Sequence, residues 1–301
     1  MRKQVILLFY SPLRYPGGKG KLEPLIELLI VKTGHIGGTY IEPFAGGAAI
    51  AIELLLKGTV NRIVINDLDK GIYSFWRAIL TETERFINKI DSVPLNMTQW
   101  QKEREICVTN NKKYSFDLGF ATFYMNRTNR SGIIKGGVIG GLEQSGTWKL
   151  DARFNRENLI KRILAISERK NDITVYNKDI KSFLTKYVQK YEGNTFIYFD
   201  PPYFEKGKQL YLNFFDKEDH IEIEKTIMKY AKCDWVISYD DVPEIIKIYK
   251  NRPIRKFDLT YSASKMRIAS EVAVFKNLKM IPNSEELKEN NLNINMRIWG
   301  L

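Results

Sequence analysis

The apolar run TFIYF (195–199) ends on a carboxylate, Asp200, and Pro201, Pro202 and Tyr203 follow at once. Each proline fixes its own φ at about −65° and drives the residue before it toward extended backbone, so an acid and an aromatic ring are held in a stiff relation. Turn punctuation after a buried strand can produce the same letters, because Pro-rich breakers and Asp are common turn chemistry. Other apolar runs end in a similar way: Glu42 closes TYIE ahead of Phe44, Gly46 and Gly47, Asp67 follows RIVIN, and Asp179 follows ITVYNK. If these runs are parallel strands, their carboxyl ends are where an open α/β sheet binds its ligand. Asp67 stands 21 residues after Gly46, near the spacing at which such sheets set the acid that binds ribose hydroxyls. The glycine turn is not GxGxxG, and PGGKGK (16–21) is not followed by the Ser or Thr of a Walker loop, so a dinucleotide or nucleoside triphosphate is disfavoured. A ligand with a ribose and no pyrophosphate suits the pair.

The elements that must carry these residues are legible as short β-branched or aromatic runs: TYIEPF (39–44), RIVIND (62–67), ITVYNKD (173–179), TFIYFD (195–200) and DWVISYD (234–240). Their continuous apolar character predicts strands buried on both faces. Helical spacing lies between most of them. In IKSFLTKYVQKY, Ile180, Phe183, Leu184, Tyr187 and Val188 fall on one face. The alternation predicts a mainly parallel, doubly wound, Rossmann-like α/β sheet, and IRKFDLTY with SEVAVFKN predicts an antiparallel hairpin at one edge.

The alternation stops between about Ser74 and Ser167. Helices are predicted there around 98–108 and 115–125, followed by a glycine-rich basic loop. An insertion of that length is expected to be a functional subdomain. We expect residues 76–164 to form it and residues 1–75 with 165–301 to form the core domain. Residues 76–164 hold fifteen Lys/Arg against nine Asp/Glu, half of the chain's net charge of +12.

At 301 residues and 44% hydrophobic the chain can bury a large core, and its basic balance favours a polyanionic partner. Cys107 and Cys233 stand alone, without metal or disulfide spacing, which fits a reducing cytoplasm. His35 and His220 also lack partners at ligand spacing, so no metal is assigned. MRKQVILLFY reads as a short strand or extended segment rather than a leader, because its apolar stretch is short and no small-residue cleavage site follows. No apolar run approaches the roughly 18–20 residues that span a bilayer, so no membrane role is expected.

Taken in order, LRYPGGK (13–19), EPFAGGAA (42–49), VIND (64–67), YNKD (176–179) and FDPPYF (199–204) resemble the motifs of the Dam-type DNA adenine-N6 methyltransferases, across almost the whole chain. The resemblance implies S-adenosylmethionine as cofactor. Tyr15 and Lys19 would cover it, Glu42, Phe44, Gly46 and Asp67 would surround its amino-acid and ribose parts, and Asp179 would hold its adenine. Asp200 would face both cofactor and target base, forming with Pro201, Pro202 and Tyr203 the catalytic motif. Two acceptors, the Asp200 carboxylate and the Pro201 carbonyl, would draw the exocyclic amine toward tetrahedral geometry. Tyr203 would stack on a base flipped out of the duplex.

The insertion resembles the family's target-recognition domain. MNRTNRSGIIK matches the family's hairpin segment at Asn126, Arg127, Gly132 and Lys135, and DNA contacts are expected from Asn126, Arg127 and Lys135 and, as a phosphate contact or solvated cation, from Arg130, with double-stranded DNA as partner. Lys135 stands where relatives that read GATC carry Arg. Because Lys offers a point charge instead of a two-pronged fork, the same target is not implied. Lys149, Arg153 and Arg156 read as phosphate contacts or solvated surface, and the basic run 250–267 reads as one wall of the DNA cleft or as a solvated edge. Cytosine-N4 or RNA adenine methylation and a catalytically silent DNA-binding relative remain alternatives. A cognate restriction endonuclease is left open as a second partner.

Overall fold

The structure is a computed structural model that describes residues 11–14, 19–110, 112–191, 193–205, 215–262, 266–292 and 294–299, without the side chains of residues 19, 21 and 259–269. Tyr15, the side chain of Lys19 and the segment MRKQVILLFY lie outside the described residues.

All five runs expected as core strands form: β1 (Thr39–Glu42), β2 (Arg62–Asn66), β3 (Ile173–Tyr176), β4 (Thr195–Phe199) and β5 (Asp234–Asp240). They pair in parallel in the order β3-β2-β1-β4-β5. The expected edge hairpin is β6 (Ile254–Ser262) with β7 (Met266–Phe275), and β7 lies antiparallel beside β5. A two-residue strand, β8 (Arg297–Ile298), pairs outside β6. All five residues of β4 are buried. Helices therefore cover both faces of this strand, which is why its sequence is continuously apolar instead of alternating.

The chain runs outward from β1 to β2 and β3, then returns to lay β4 on the other side of β1, with Tyr40 beside both Ile63 and Phe196. The strand order reverses between β1 and β4. Open α/β sheets bind their ligands beyond the strands' carboxyl ends at such a switch point, and Glu42 and Asp200 stand there.

Helix α1 (Glu23–Lys32) precedes β1, and the crossovers carry α2 (Ala49–Lys57), α8 (Ile180–Lys186), α9 (Lys217–Tyr230) and α10 (Pro243–Ile248). The insertion sits between β2 and β3 and is helical: α3 (Lys70–Thr81), α4 (Thr83–Ser92), α5 (Met97–Thr109), α6 (Phe116–Thr128) and α7 (Arg156–Ser167). Its centre is aromatic, with Phe75 stacked on Phe123 at 5.8 Å and Phe86 against Phe120 at 5.3 Å. These rings belong to the same buried cluster as Tyr40, Ile63 and Ile65 of the sheet. The expected boundaries at 75/76 and 164/165 fall inside α3 and α7. Both helices bury residues in that shared cluster, including Ile79 and Ile163.

Two helix starts show how short polar residues fix the register of the insertion. Asp69 accepts the N–H groups of Gly71 (2.7 Å) and Ile72 (2.9 Å) at the start of α3, and Asn155 accepts that of Asn158 (2.9 Å) at the start of α7. Each such cap satisfies backbone donors that have no partner within the helix and stabilises it by about 1 kcal/mol. Among the described residues no helix is long and apolar enough to cross a membrane.

Candidate active site

The turn after β1 is shaped for close approach. Gly46 (φ 46°) and Ala48 (φ 44°) both take left-handed backbone, and α2 starts directly behind them. Left-handed backbone is strained for an alanine, and such strain is held where surrounding structure over-determines it. Trp76 of the insertion supplies one restraint, its Nε1–H donating to the Gly46 carbonyl at 2.9 Å. Asp67 supplies another: its Oδ2 accepts the Gly46 N–H at 2.8 Å and its Oδ1 accepts the Asp69 N–H at 2.8 Å. The spacing that links Gly46 and Asp67 in sequence is thus a direct contact.

Asn66, which the sequence did not mark, ties three strand ends together. Its Nδ2 donates to the carbonyls of Pro43 and Lys178, each at 3.0 Å, and its Oδ1 accepts the Lys178 N–H at 3.0 Å. A buried amide has to find partners, and it finds them in the backbones that follow its two neighbouring strands.

Glu42 is buried. Its Oε1 accepts from the Tyr40 hydroxyl (2.9 Å) and the Ala51 N–H (3.2 Å). Burial pushes its carboxyl up to about 8, the two hydrogen bonds pull against that shift, and the nearby Asp200 adds to it. Asp67 is likewise pushed up to about 7, by burial first and by Asp69 second, while its backbone hydrogen bonds pull it down. Asp179 is exposed and caps α8, accepting the Ser182 N–H at 2.8 Å. Phe44 is half-buried and meets Phe215 edge-on at 6.0 Å.

Asp200 follows β4 directly. Its Oδ1 accepts from the Ser238 hydroxyl of β5 at 3.2 Å, and Ser238 is itself 2.7 Å from the Tyr198 hydroxyl. Tyr203 is buried, and its hydroxyl donates to Oε1 of buried Glu271 on β7 at 3.2 Å, so the ring is anchored at its tip. Past the motif, Asp240 at the end of β5 accepts the N–H groups of Phe204 (2.9 Å) and Glu205 (3.0 Å). The strand-end rule that singled out Asp200 applies equally to Asp240. No sequence signal marked Glu271, which lies within β7, between β5 and β6.

The structure brings Glu42, Gly46, Asp67 and Asp200 together and separates the expected DNA contacts into two groups. Arg130 and Lys135 are exposed. Asn126 and Arg127 are buried and turned inward: Asn126 bonds the backbone of Arg14 and Gly132, and the Arg127 Nε–H donates to the Pro12 carbonyl at 2.7 Å. A side chain whose donors are held by its own chain is not free to read a base edge. Arg156 departs from expectation for the same reason, donating to the carbonyls of Ile90 and of Val93, the latter at 2.6 Å. In the basic run, Lys256 is paired with Asp241, and Arg252 donates to the Lys276 carbonyl at 3.0 Å.

A mainly parallel, doubly wound α/β sheet with a strand-end Asp-Pro-Pro-Tyr beside its switch point is Rossmann-like in architecture. Residues 15–267 match the family model of the D12 class N6 adenine-specific DNA methyltransferases, and the chain belongs to that family. It is 25% identical over 240 residues to the Type II methyltransferase M.MjaIII of Methanocaldococcus jannaschii, covering 73% of this chain and 80% of that one. It is also 25% identical over 207 residues to the Type II methyltransferase M1.LlaDCHI of Lactococcus lactis subsp. cremoris, covering 63% of this chain and 64% of that one. Among solved structures, the rRNA methyltransferase aviRa from Streptomyces viridochromogenes aligns over 91% of this chain and 94% of its own at 12% identity, with a TM-score of 0.39. The family establishes site-specific adenine-N6 methylation of DNA as the activity.

Proposed function

We propose that the crevice at the β1–β4 switch point binds S-adenosylmethionine and that Asp200, with the Pro201 carbonyl, activates the amine of an adenine flipped out of double-stranded DNA. The observation that carries this reading is the placement of Asp200: it leaves β4 beside Glu42, one oxygen is oriented by Ser238, and the Tyr203 ring that follows is anchored on Glu271.

The acids of the crevice fit the cofactor's chemistry. The charge that raises Glu42 further is Asp200, and the one that raises Asp67 further is Asp69. Carboxylates crowded by carboxylates favour a ligand with positive centres. Asp67 would also accept from ribose hydroxyls, Gly46 would let the backbone approach, and Phe44 would supply an apolar side. Asp179 would face the adenine, although its side chain also serves as a helix cap. Tyr15 and Lys19 belong to the reading through their sequence motif alone.

When bound, S-adenosylmethionine supplies an electrophilic methyl group on a sulfonium. The protein's task is to aim a poor nucleophile at it. An adenine amine is planar because its lone pair is delocalised into the ring. Accepting both of its N–H bonds, one on Asp200 and one on the Pro201 carbonyl, turns that lone pair out of the plane. Proline stiffness and the Ser238 bond hold the acceptors in place beforehand, which is where positioning contributes to rate. Asp200 does not have to be a strong base, since the amine becomes acidic once methylated. Tyr203 would stack on the base.

Exposed Arg130 and Lys135 of the insertion would face the duplex. The names of the relatives also suggest operation beside a Type II restriction endonuclease. Incubation with labelled S-adenosylmethionine and mixed-sequence duplex DNA, followed by nucleoside analysis, should yield N6-methyladenine. Label recovered only as N4-methylcytosine, or only on RNA, would overturn the assignment.

A further inference from the structure

Residues Ser11 to Arg14 form a short strap with one end on the cofactor-side turn and the other on the insertion. At the first end the Ser11 hydroxyl donates to the Gly47 carbonyl. Along its length, Arg162 Nη1 donates to the Ser11 carbonyl at 3.1 Å and Arg127 Nε donates to the Pro12 carbonyl at 2.7 Å. At the second end Asn126 grips Arg14 twice, its Oδ1 accepting the Arg14 N–H at 2.7 Å and its Nδ2 donating to the Arg14 carbonyl at 2.6 Å. The same Nδ2 donates to the Gly132 carbonyl at 2.8 Å. Gly132, at φ 78°, packs so tightly that an added Cβ would lie 2.4 Å from the Arg14 carbonyl oxygen. The turn between exposed Arg130 and Lys135 is therefore seated on the strap.

The arrangement is costly, which argues that it has a task. Arg127 is buried, and its charged neighbours are Arg162, Arg14 and Arg153, all of its own sign. Burying a guanidinium among guanidiniums is unfavourable, and its hydrogen bonds offset that cost only in part. Here they fix the Pro12 carbonyl.

We infer that Asn126 and Arg127 are positioning residues that couple the two substrates: filling the crevice fixes the Gly47 turn, the strap transmits that order to the Arg130–Lys135 turn, and DNA binds more tightly as a result. No large movement is needed, because a ligand that orders one end of a shared element lowers the cost of ordering the other. The coupling is reciprocal, so DNA must tighten cofactor binding by the same factor. The inference rests on the functional reading above.

The test is a thermodynamic cycle with S-adenosylhomocysteine and the duplex that the methylation assay identifies. The wild-type protein should bind that duplex about tenfold more tightly with S-adenosylhomocysteine present, within the usual range of coupling factors. Asn126→Ala cuts the strap at the insertion end and Ser11→Ala cuts it at the turn, and each should bring the factor to within about twofold of one. A substitution at the turn that lowers cofactor-dependent DNA affinity is an effect that a merely local role would not give. Ser11→Ala removes a single hydroxyl, so it carries the test if Asn126→Ala fails to fold. Wild-type coupling retained in either folded variant overturns the inference, as does an active wild-type enzyme with no coupling. A wild-type protein that transfers no methyl group to DNA instead overturns the functional reading beneath it.

Discussion

Two of the charged groups buried in this molecule, Glu42 and Arg127, are solvated in opposite ways. Glu42, at the end of β1, has Asp200 for a neighbour and is pushed up to about 8, chiefly by burial. Arg127, at the end of α6, has Arg14, Arg153 and Arg162 for neighbours and is pushed down to about 9, again chiefly by burial. Each has charge of its own sign beside it, yet the consequences differ. Both Arg127 nitrogens that make hydrogen bonds point at one backbone carbonyl of its own chain. The carboxylates of Glu42, Asp67 and Asp200 instead stand together at strand ends, where the reading proposed above places the cofactor. Arg127 is charge that builds the scaffold, whereas the strand-end carboxylates are, on the reading proposed above, charge that awaits a ligand. Burial and an altered pKa alone do not distinguish the two.

The largest test of that separation is Asp200→Ala. Removing an acceptor aimed at the reacting amine should lower kcat by on the order of 10²–10³-fold or more, while DNA binding stays measurable by fluorescence anisotropy. Loss of both together would place Asp200 on the scaffold side of the comparison. A smaller effect is expected from the exposed cations. DNA affinity should fall steeply with salt, with a log–log slope of about −0.9 per neutralised phosphate. Arg153→Ala should reduce that slope by about one contact, because Arg153 is exposed beside Arg14 and Arg127. A slope that Arg153→Ala leaves unchanged would remove this residue from the DNA surface.

Much of the sheet and most of the crevice could be read from the chain, for a physical reason. Strands buried on both faces show as unbroken apolar runs, and a charge that ends such a run is conspicuous, so Glu42, Asp67 and Asp200 were all visible. Asn66 was not, because an amide ending RIVIN looks like turn chemistry until its bonds to Pro43 and Lys178 are known. Asn126 and Arg127 carried a motif that suggested contact with DNA, and only burial shows them turned toward Pro12 and Arg14. The C-terminal tail was opaque for another reason: its composition is polar and Asn-rich. It nevertheless forms a capped helix α11 (Ser284–Glu289), pairs Glu286 with Lys32 at 2.5 Å, buries Leu287 and ends in β8. Single apolar anchors spaced by polar residues leave no periodic signal.

The smallest effect concerns Glu42 and is read in the free protein. Its folded carboxyl lies near 8, well above the ordinary glutamate range. The folded state therefore holds a proton that the unfolded chain releases, and stability must fall as pH rises between the two values. Below the unfolded value both states are protonated and Glu42 contributes no pH dependence. Above about 8 the penalty is complete. Glu42→Gln keeps an oxygen for the Tyr40 hydroxyl and the Ala51 N–H and removes the titration. The expected outcome is a melting temperature for the variant that equals or trails the wild type at pH 5 and exceeds it by a few degrees at pH 8. Adding S-adenosylmethionine should shrink that difference in the wild type, because a cation beside Glu42 favours its ionised form. Parallel melting curves for the two proteins across this range would mean that Glu42 stays ionised in the fold, and would leave the crevice without its distinguishing feature.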